Sequence, residues 1–186
     1  MIPGSVGGDI PELLTPRLRL RGMWPADFPS FAALWLDPEV TARVGVPARD
    51  EAESWGSFLR NAGSWVLLGY GQWAICDRTS GEFLGHTGIF RAMRGHGADF
   101  DGAPEAGWVL ARAAQGRGIG TEAVRAMLAW VDASDHAGAL VAQIDHGNAA
   151  SLALAARMGF RRMRDVAGGE RGLALLRRPG PQEPPG

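Results

Sequence analysis

The chain contains no lysine: all 19 of its basic residues are arginine. That absence excludes a phosphate-binding loop ending in Gly-Lys-Ser/Thr, and it excludes any mechanism that runs through a lysine Schiff base. P-loop nucleotide hydrolysis and pyridoxal-phosphate chemistry are therefore closed to this protein. A genomic bias toward Arg, Ala and Gly codons accounts for the missing lysine without a functional reason. Cysteine is nearly absent as well. The single Cys76 rules out a disulfide framework within the chain and a multi-cysteine zinc site, so no metal is expected. It lies in the apolar run Gln72–Asp77 and reads as a small buried hydrophobe rather than a nucleophile. No apolar run reaches the ~20 residues that cross a bilayer, and residues 1–11 lack the basic start and apolar stretch of a secretory signal. The default expectation is a cytoplasmic protein with no membrane partner. A net charge of −1 supplies no broad field to draw in nucleic acid.

What is present describes one globular domain. A chain of 186 residues, 46% hydrophobic and 21% charged, can bury well over half its surface. Residues 17–21 alternate polar and apolar and predict a half-buried strand. Asp27 is placed to cap a helix running to Trp35 that stops at Asp37-Pro38. Trp55, Phe58 and Leu59 carry a second helix over 49–61. Strands over 72–77 and 82–90 follow, joined by turn-forming residues 78–81. Residues 91–102 read as a Gly-rich polar loop, and 105–110 as another strand. Ile119, Ala123, Met127 and Val131 recur every four residues and predict the clearest helix, 118–134. A buried strand at 139–144 precedes a helix that Asn148 starts and Gly159 ends. Strands at 161–166 and 171–176 close the domain. Residues 1–12 are expected to be a flexible N-terminus, 13–178 the domain, and 179–186 a Pro/Gly tail without order. The element order predicts an α/β fold, a single domain on a sheet of mixed direction.

Three glycines at alternate positions, Gly116, Gly118 and Gly120, separate a predicted strand from a predicted helix. Glycine permits close approach and positive φ, so several backbone N–H groups in such a turn converge on one point. The helix N-terminus adds unsatisfied donors and partial positive charge. Together they suit a pyrophosphate, with Arg112 and Arg117 able to pair with its oxygens. A flexible loop in a protein with 27 glycines is the competing reading. A dinucleotide fold fits less well. The spacing is G-x-G-x-G rather than G-x-G-x-x-G, and the turn lies two-thirds along the chain instead of after the first strand.

Around this loop the sequence resembles the GNAT acetyltransferase superfamily, in particular its ribosomal-protein N-terminal acetyltransferase-like branch. Gln115-x-x-Gly118-x-Gly120 followed by Thr121-Glu122-Ala123 is similar to the family's cofactor loop. Glu105-x-Gly107-Trp108-x-Leu110 resembles its fourth strand. Asn148-x-x-Ser151, with Gly159-Phe160 eleven residues beyond the Asn, resembles its closing helix. Arg17-Leu18 with Asp37-Pro38-Glu39-Val40 matches the family's beginning. The resemblance spans about residues 13–176. It implies a GNAT-like, mostly antiparallel central sheet flanked by helices, with the family's strands four and five splayed.

That resemblance also implies a chemistry. Acetyl-CoA would lie in the splayed gap. Its pantetheine would pair with Trp108, Val109 and Leu110. Its pyrophosphate would meet Gln115, Gly116, Arg117, Gly118, Ile119, Gly120 and Thr121. An amine would attack the thioester directly, which calls for a base, a donor to the carbonyl and an acid for the thiolate. Glu105 is the base candidate, with a surface strand residue as the plain alternative; Asp99, Asp101, His86 and His146 are further candidates. Asn148 suits a helix N-cap, and the resemblance assigns it a pantetheine contact. Ser151 is a capping partner or lies near the sulfur. Ala155 stands seven residues past Asn148, where many relatives carry tyrosine, and the only tyrosine here is Tyr70. Proton delivery to the thiolate then falls to Ser151, to water, or to no acid at all. Trp24, Trp35, Trp55, Trp65 and Trp73 cluster in the half that builds the acceptor side, most as core and one or two as groove lining. The acceptor is a primary amine: a protein N-terminus or a small molecule, selected by loops 44–48 and 91–103. Alternatives are a non-catalytic acyl-CoA-binding module and, more remotely, a nucleotide-dependent oxidoreductase. A homodimer is compatible with the family.

Overall fold

The computed structural model describes residues 10–136, 138–168 and 171–183. Eight strands form one open mixed sheet in the order β1-β2-β3-β4-β5-β6-β8-β7. They are β1 (Leu13–Leu14), β2 (Leu18–Arg21), β3 (Gln72–Asp77), β4 (Phe83–Phe90), β5 (Glu105–Leu110), β6 (Leu140–Asp145), β7 (Arg161–Val166) and β8 (Leu173–Arg178). Every neighbouring pair is antiparallel except β5 and β6. Helices α1 (Phe28–Leu36), α2 (Pro38–Val44), α3 (Glu51–Leu68), α4 (Ala98–Asp101), α5 (Ile119–Ala133) and α6 (Ala149–Arg157) complete the domain. The expected α/β class and mixed sheet are what the structure has.

Strand β3 shows why both faces of the sheet are covered. Trp73 and Ile75 point into a core shared with Ala123, Val124 and Met127 of α5 and Leu154 and Ala155 of α6. Ala74 and Cys76 point the opposite way, against Phe31, Trp35, Val40 and Phe58 of α1–α3. Alternation with period two delivers one strand to two layers, and a run apolar at every position results. Cys76 is buried, and burial pushes its thiol pKa up, as an inert core residue requires.

Three elements differ from the sequence expectation. The helix after Asp27 stops at Leu36, before Asp37-Pro38, as expected, but Pro38 then begins a further helix, α2, which Asp37 caps by accepting from the Glu39 N–H at 2.9 Å. Proline at the first helical position loses no hydrogen bond, so Asp-Pro marks a restart here. Helix α3 runs past 61 to Leu68, closed by Gly69 in the left-handed region, because Trp65 continues its buried face and donates to the Gln72 carbonyl. Asp27 does not cap α1 through its side chain. Its carboxylate instead takes a two-point pair from Arg21 at 2.7 and 2.8 Å, both residues being buried.

Within the stretch 91–102, expected as a loop, residues 91–97 are irregular as expected while Ala98–Asp101 form the short α4, and the segment is tied down. Asp101 accepts from the Arg94 N–H, Arg164 holds Asp99, and Phe100 fills a small core with Val141 and Leu175. Residues 1–9 and 184–186, where terminal flexibility is expected, lie outside the described residues, as does Gly169 of the Gly168-Gly169 link. Nearer the domain, Pro11 accepts from the Trp73 indole at 2.7 Å and Glu183 pairs with Arg177. Among the described residues, no helix is long and apolar enough to cross a membrane.

Candidate active site

Strands β5 and β6 start side by side and then part. Their pairing consists of Glu105 opposite Val141, with the Val141 N–H donating to the Pro104 carbonyl at 3.0 Å. Beyond that point Trp108, Val109 and Leu110 remain paired with Thr87, His86 and Gly85 of β4. Their edge toward β6 has no strand partner among the described residues; the Leu110 carbonyl is taken by the Gln115 side chain, and the rest of the edge is open to a ligand. Helix α2 crosses both strands at the gap.

Below the gap lies the glycine turn. Gly116 and Gly118 have φ of 72° and 76°, left-handed values that other residues adopt at a cost. A Cβ at Gly116 would meet nothing, whereas one at Gly120 would sit 3.3 Å from Leu110 and 3.6 Å from Leu154. Gly118 serves as the α5 N-cap without a side-chain capping bond, which leaves the first amides of α5 free for an anion. The turn is braced from outside. The Gln115 amide donates to the Leu110 carbonyl at 3.0 Å, and Arg17 donates to the Arg117 carbonyl at 2.9 Å. Glu122 in turn anchors Arg17, accepting from its Nε at 2.7 Å, its N–H at 3.0 Å and the Thr15 hydroxyl at 2.6 Å. Burial opposes ionisation of Glu122, but these donors outweigh it and hold its pKa below the usual value.

A cavity of about 520 Å³ runs over this turn, bounded by Trp108–Leu110, the amides of residues 118–121, Asn148 and Ser151. A second, of about 870 Å³, opens on the far side of β5. The two share Val44, Trp108, Val109, Asn148 and Ser151 in their linings, so they adjoin at the passage between the parted strands, the gap bordered by β5 and β6.

This arrangement has relatives. The model of the GNAT acetyltransferase domain family matches residues 17–161. The chain belongs to that family. It is accordingly an acetyl-CoA-dependent acyltransferase. The uncharacterised protein YkkB of Bacillus subtilis is 30% identical over 90% of this chain and 95% of its own. A GnaT-family protein from Bordetella pertussis is 36% identical with a TM-score of 0.81, over 90% of this chain and 99% of its own. The fold is shared with RimL, a ribosomal alpha-N-protein acetyltransferase solved in complex with coenzyme A. There the identity is 17% and the TM-score 0.74, over 93% of this chain and 100% of that one.

Within the GNAT frame most of the expected residues gather at the passage. Trp108, Val109, Leu110, Gln115, Gly116, Gly118, Ile119, Gly120, Thr121, Asn148 and Ser151 all line the cavity over the glycine turn, the one expected to take the cofactor. Gln115 does so as a brace for the turn. Arg117 contributes its backbone to the turn, its side chain reaching back toward Ala113. Arg112 is taken up by Glu39 of α2. Asn148 caps α6 by accepting from the Ser151 N–H at 3.1 Å. The Ser151 hydroxyl accepts from the Trp108 indole at 3.2 Å, which leaves its own hydrogen free to be donated.

Glu105 lines the far cavity, buried, with both oxygens held by Arg94 at 2.7 and 2.8 Å. That pairing also raises the Arg94 pKa against the cost of burial. Asp99 and Asp101 are structural. Arg164 holds the Asp99 pKa down, and for Asp101 the backbone N–H groups of residues 94–97 outweigh a desolvation that acts the other way. His146 faces Asp165 and Arg162, away from the lining of either cavity. His86 does reach the far cavity. Its Nδ1–H donates to Gln72, and full burial, helped by the charge of Arg49, lowers its pKa to about 3. Ala155 is packed in the core, and Tyr70 stacks edge-on to His136, so no phenol stands at the passage.

Sequence reasoning missed several cavity residues. Arg43 and Arg157, in the last turns of α2 and α6, line the cofactor side and have no ion-pair partner among the described residues. Arg49 and Gln72 line the far side, beside Trp35, which belongs to the tryptophan cluster expected to supply one or two groove-lining residues. None sits in a motif; two helix ends and a strand start converge only after folding. Arg49 stacks over the Trp35 ring with its guanidinium carbon 3.6 Å from the centroid.

Proposed function

We propose that the protein transfers the acetyl group of acetyl-CoA directly to a primary amine. Two adjoining cavities at the parted strands support this reading: one lies over the glycine turn at residues 115–121, and the other, sharing Trp108, Val109, Asn148 and Ser151 with it, is large enough for an acceptor. In the proposed reaction the pyrophosphate meets the free amides of α5, with Arg43 and Arg157 beside it, and the pantetheine follows the open edge of Trp108–Leu110. The amine enters from the far cavity. Its nitrogen attacks the thioester carbonyl carbon, the C–S bond breaks, and the nitrogen loses a proton. Glu105 is the assigned proton acceptor. Both of its oxygens face Arg94, so the proton reaches it through a water or as Arg94 shifts. Ser151, hydrogen-bonded to Trp108 yet keeping a free O–H, is the assigned hydrogen-bond donor to the leaving sulfur, which departs as the thiolate and takes its proton from water.

Two measurements test this. Acetyl-CoA raises the melting temperature, as a ligand of the native state must, and CoA thiol appears only when an amine is added. Glu105→Gln is expected to lower kcat/KM by ~10²-fold or more; an unchanged value removes Glu105 from the mechanism. Stabilisation by acetyl-CoA without thiol release against any amine favours an acyl-CoA-binding module instead.

A further inference from the structure

The far cavity carries an unusual charge balance. Its charged lining residues are Arg49, Arg60, Arg91, Arg94, Glu105 and Asp145. Both carboxylates are already engaged, Glu105 by Arg94 and Asp145 by Arg171. Arg49, Arg60 and Arg91 have no carboxylate partner among the described residues; Arg91 reaches only the Gly102 carbonyl, at 3.5 Å. The passage to the thioester is therefore bordered by three uncompensated guanidinium groups and no uncompensated acid.

Arg49 is the most committed of the three. It is half-buried, lies flat on Trp35 and donates to the Ser57 hydroxyl at 2.9 Å. Desolvation depresses its pKa, neighbouring Arg60 depresses it further, and Glu53 of the α3 cap acts on it only at a distance. A guanidinium removed from water without a counter-ion is costly, and a bound anion offsets that cost. Its surroundings hold two more unmet groups: the Trp35 Nε1–H and the His86 Nε2 lone pair are buried without partners, on residues that line the same cavity. With Nδ1 donating to Gln72, the neutral His86 ring presents Nε2 as an acceptor.

We infer that the acceptor amine also carries an anionic group, held by Arg49 in the cavity beyond β5. This deepens the acetyl-transfer reading and rests on it. Planar guanidinium groups pair with carboxylates at two points and bind phosphates as readily, so the recognised chemistry is a compact oxyanion on a small amine. A polycationic acceptor such as an aminoglycoside or polyamine would bring its charges against Arg49, Arg60 and Arg91.

The test is a turnover panel of matched amines, read by CoA thiol release. Amino acids are set against their amides, β-alanine and O-phosphoethanolamine against propylamine, and spermidine and kanamycin represent polycations. The anionic member is expected to exceed its neutral match in kcat/KM by about tenfold or more, since a site built to bond a substrate group rejects the analogue lacking it. The β-alanine and O-phosphoethanolamine arms separate carboxylate from phosphate. Arg49→Gln should collapse that ratio toward one while the acetyl-CoA thermal shift and the circular dichroism spectrum persist, and Arg49→Lys should retain part of it. Neutral or cationic amines turned over as well as the anionic ones overturn the inference. So does failure of every anionic amine in a protein that acetyl-CoA stabilises, or an unchanged ratio in Arg49→Gln. A wild-type protein that acetyl-CoA fails to stabilise sinks the acetyl-transfer reading itself, and the acceptor inference with it.

Discussion

Replacing Glu122 by Ala isolates the brace that shapes the cofactor turn. The carboxylate accepts three hydrogen bonds, from the Thr15 hydroxyl, the Arg17 N–H and the Arg17 guanidinium. Their values differ. Thr15 keeps its bonds to Leu18, so losing the Glu122 contact costs about 1 kcal/mol. The Arg17 side chain is 50% exposed and returns to water on release, so its ion pair is worth at most about 1 kcal/mol. Glu122 also lies in the first turn of α5, where a negative charge adds roughly 0.5 kcal/mol. The variant should lose about 2 kcal/mol, a fall of ~4–8 °C in melting temperature for a domain of this size. Because the folded pKa of Glu122 lies below its unfolded value, this stability is fully present above the unfolded value, ordinarily 4.5, and fades as the pH falls through the folded one. The gap between wild type and variant should therefore be constant from pH 6 to pH 8 and narrow below about pH 4.5. Urea unfolding across that range measures it. Release of Arg17 also frees the Arg117 carbonyl, so acetyl-CoA affinity should drop about three- to tenfold by calorimetry. A shift under 1 °C would refute the energetic reasoning. A lowered melting temperature with unchanged affinity would show that the brace does not shape the turn.

Three further outcomes are expected. Gly118→Ala forces a side chain to φ 76° and should cost ~1–2 kcal/mol with weakened acetyl-CoA binding, whereas Gly56→Ala, in the middle of α3 with open surroundings, should not destabilise; thermal melts with and without acetyl-CoA separate the two. His86 stays neutral in the fold to about pH 3 but titrates near 6.5 when unfolded, so it withdraws stability as the pH falls below 6.5. Relative to His86→Leu, the wild type should lose about 2 kcal/mol between pH 7 and pH 5, measured by urea unfolding at each pH. Ser151→Ala should keep the fold, because the α6 cap uses the Ser151 N–H and not its hydroxyl, but should lower kcat more than it changes the acetyl-CoA KM. Equal kcat values would free the thiolate step from Ser151.

Much of this architecture is readable from residue order. Period-two runs name the strands, the four-residue recurrence of Ile119, Ala123, Met127 and Val131 names α5, and Gly116-x-Gly118-x-Gly120 names an anion turn. These signals are local: each depends on backbone torsion and on which face of one element is apolar, and both are written within a dozen residues. The misreadings are local signals overruled by distant packing. Pro38 looks like a stop, but with Asp37 as its cap α2 begins there and lies across the parted strands. The apolar spacing of Trp55, Phe58 and Leu59 carries a helix only to 61, yet Trp65 finds a core and extends α3 to Leu68.

The site divides the same way. The donor half is legible, because in the proposed reading a run of backbone N–H groups, Asn148 and Ser151 recognise the cofactor, and glycines and caps advertise such groups. The acceptor half is not. Glu105, His86 and Trp35 could be named one by one as candidates, but Arg49 follows a loop, Trp35 lies near the end of α1, His86 sits mid-strand and Glu105 opens β5, and nothing in their spacing links them. Folding sets the Arg49 guanidinium on Trp35, buries His86 against Gln72, and spends Glu105 and Asp145 on Arg94 and Arg171. Whether a charge is free or paired is a property of three-dimensional neighbours, since Coulomb and desolvation energies depend on distance and burial rather than on order in the chain. Residue order thus specifies the fold and the donor; the acceptor inferred above rests on which arginines the packed structure leaves without a carboxylate partner.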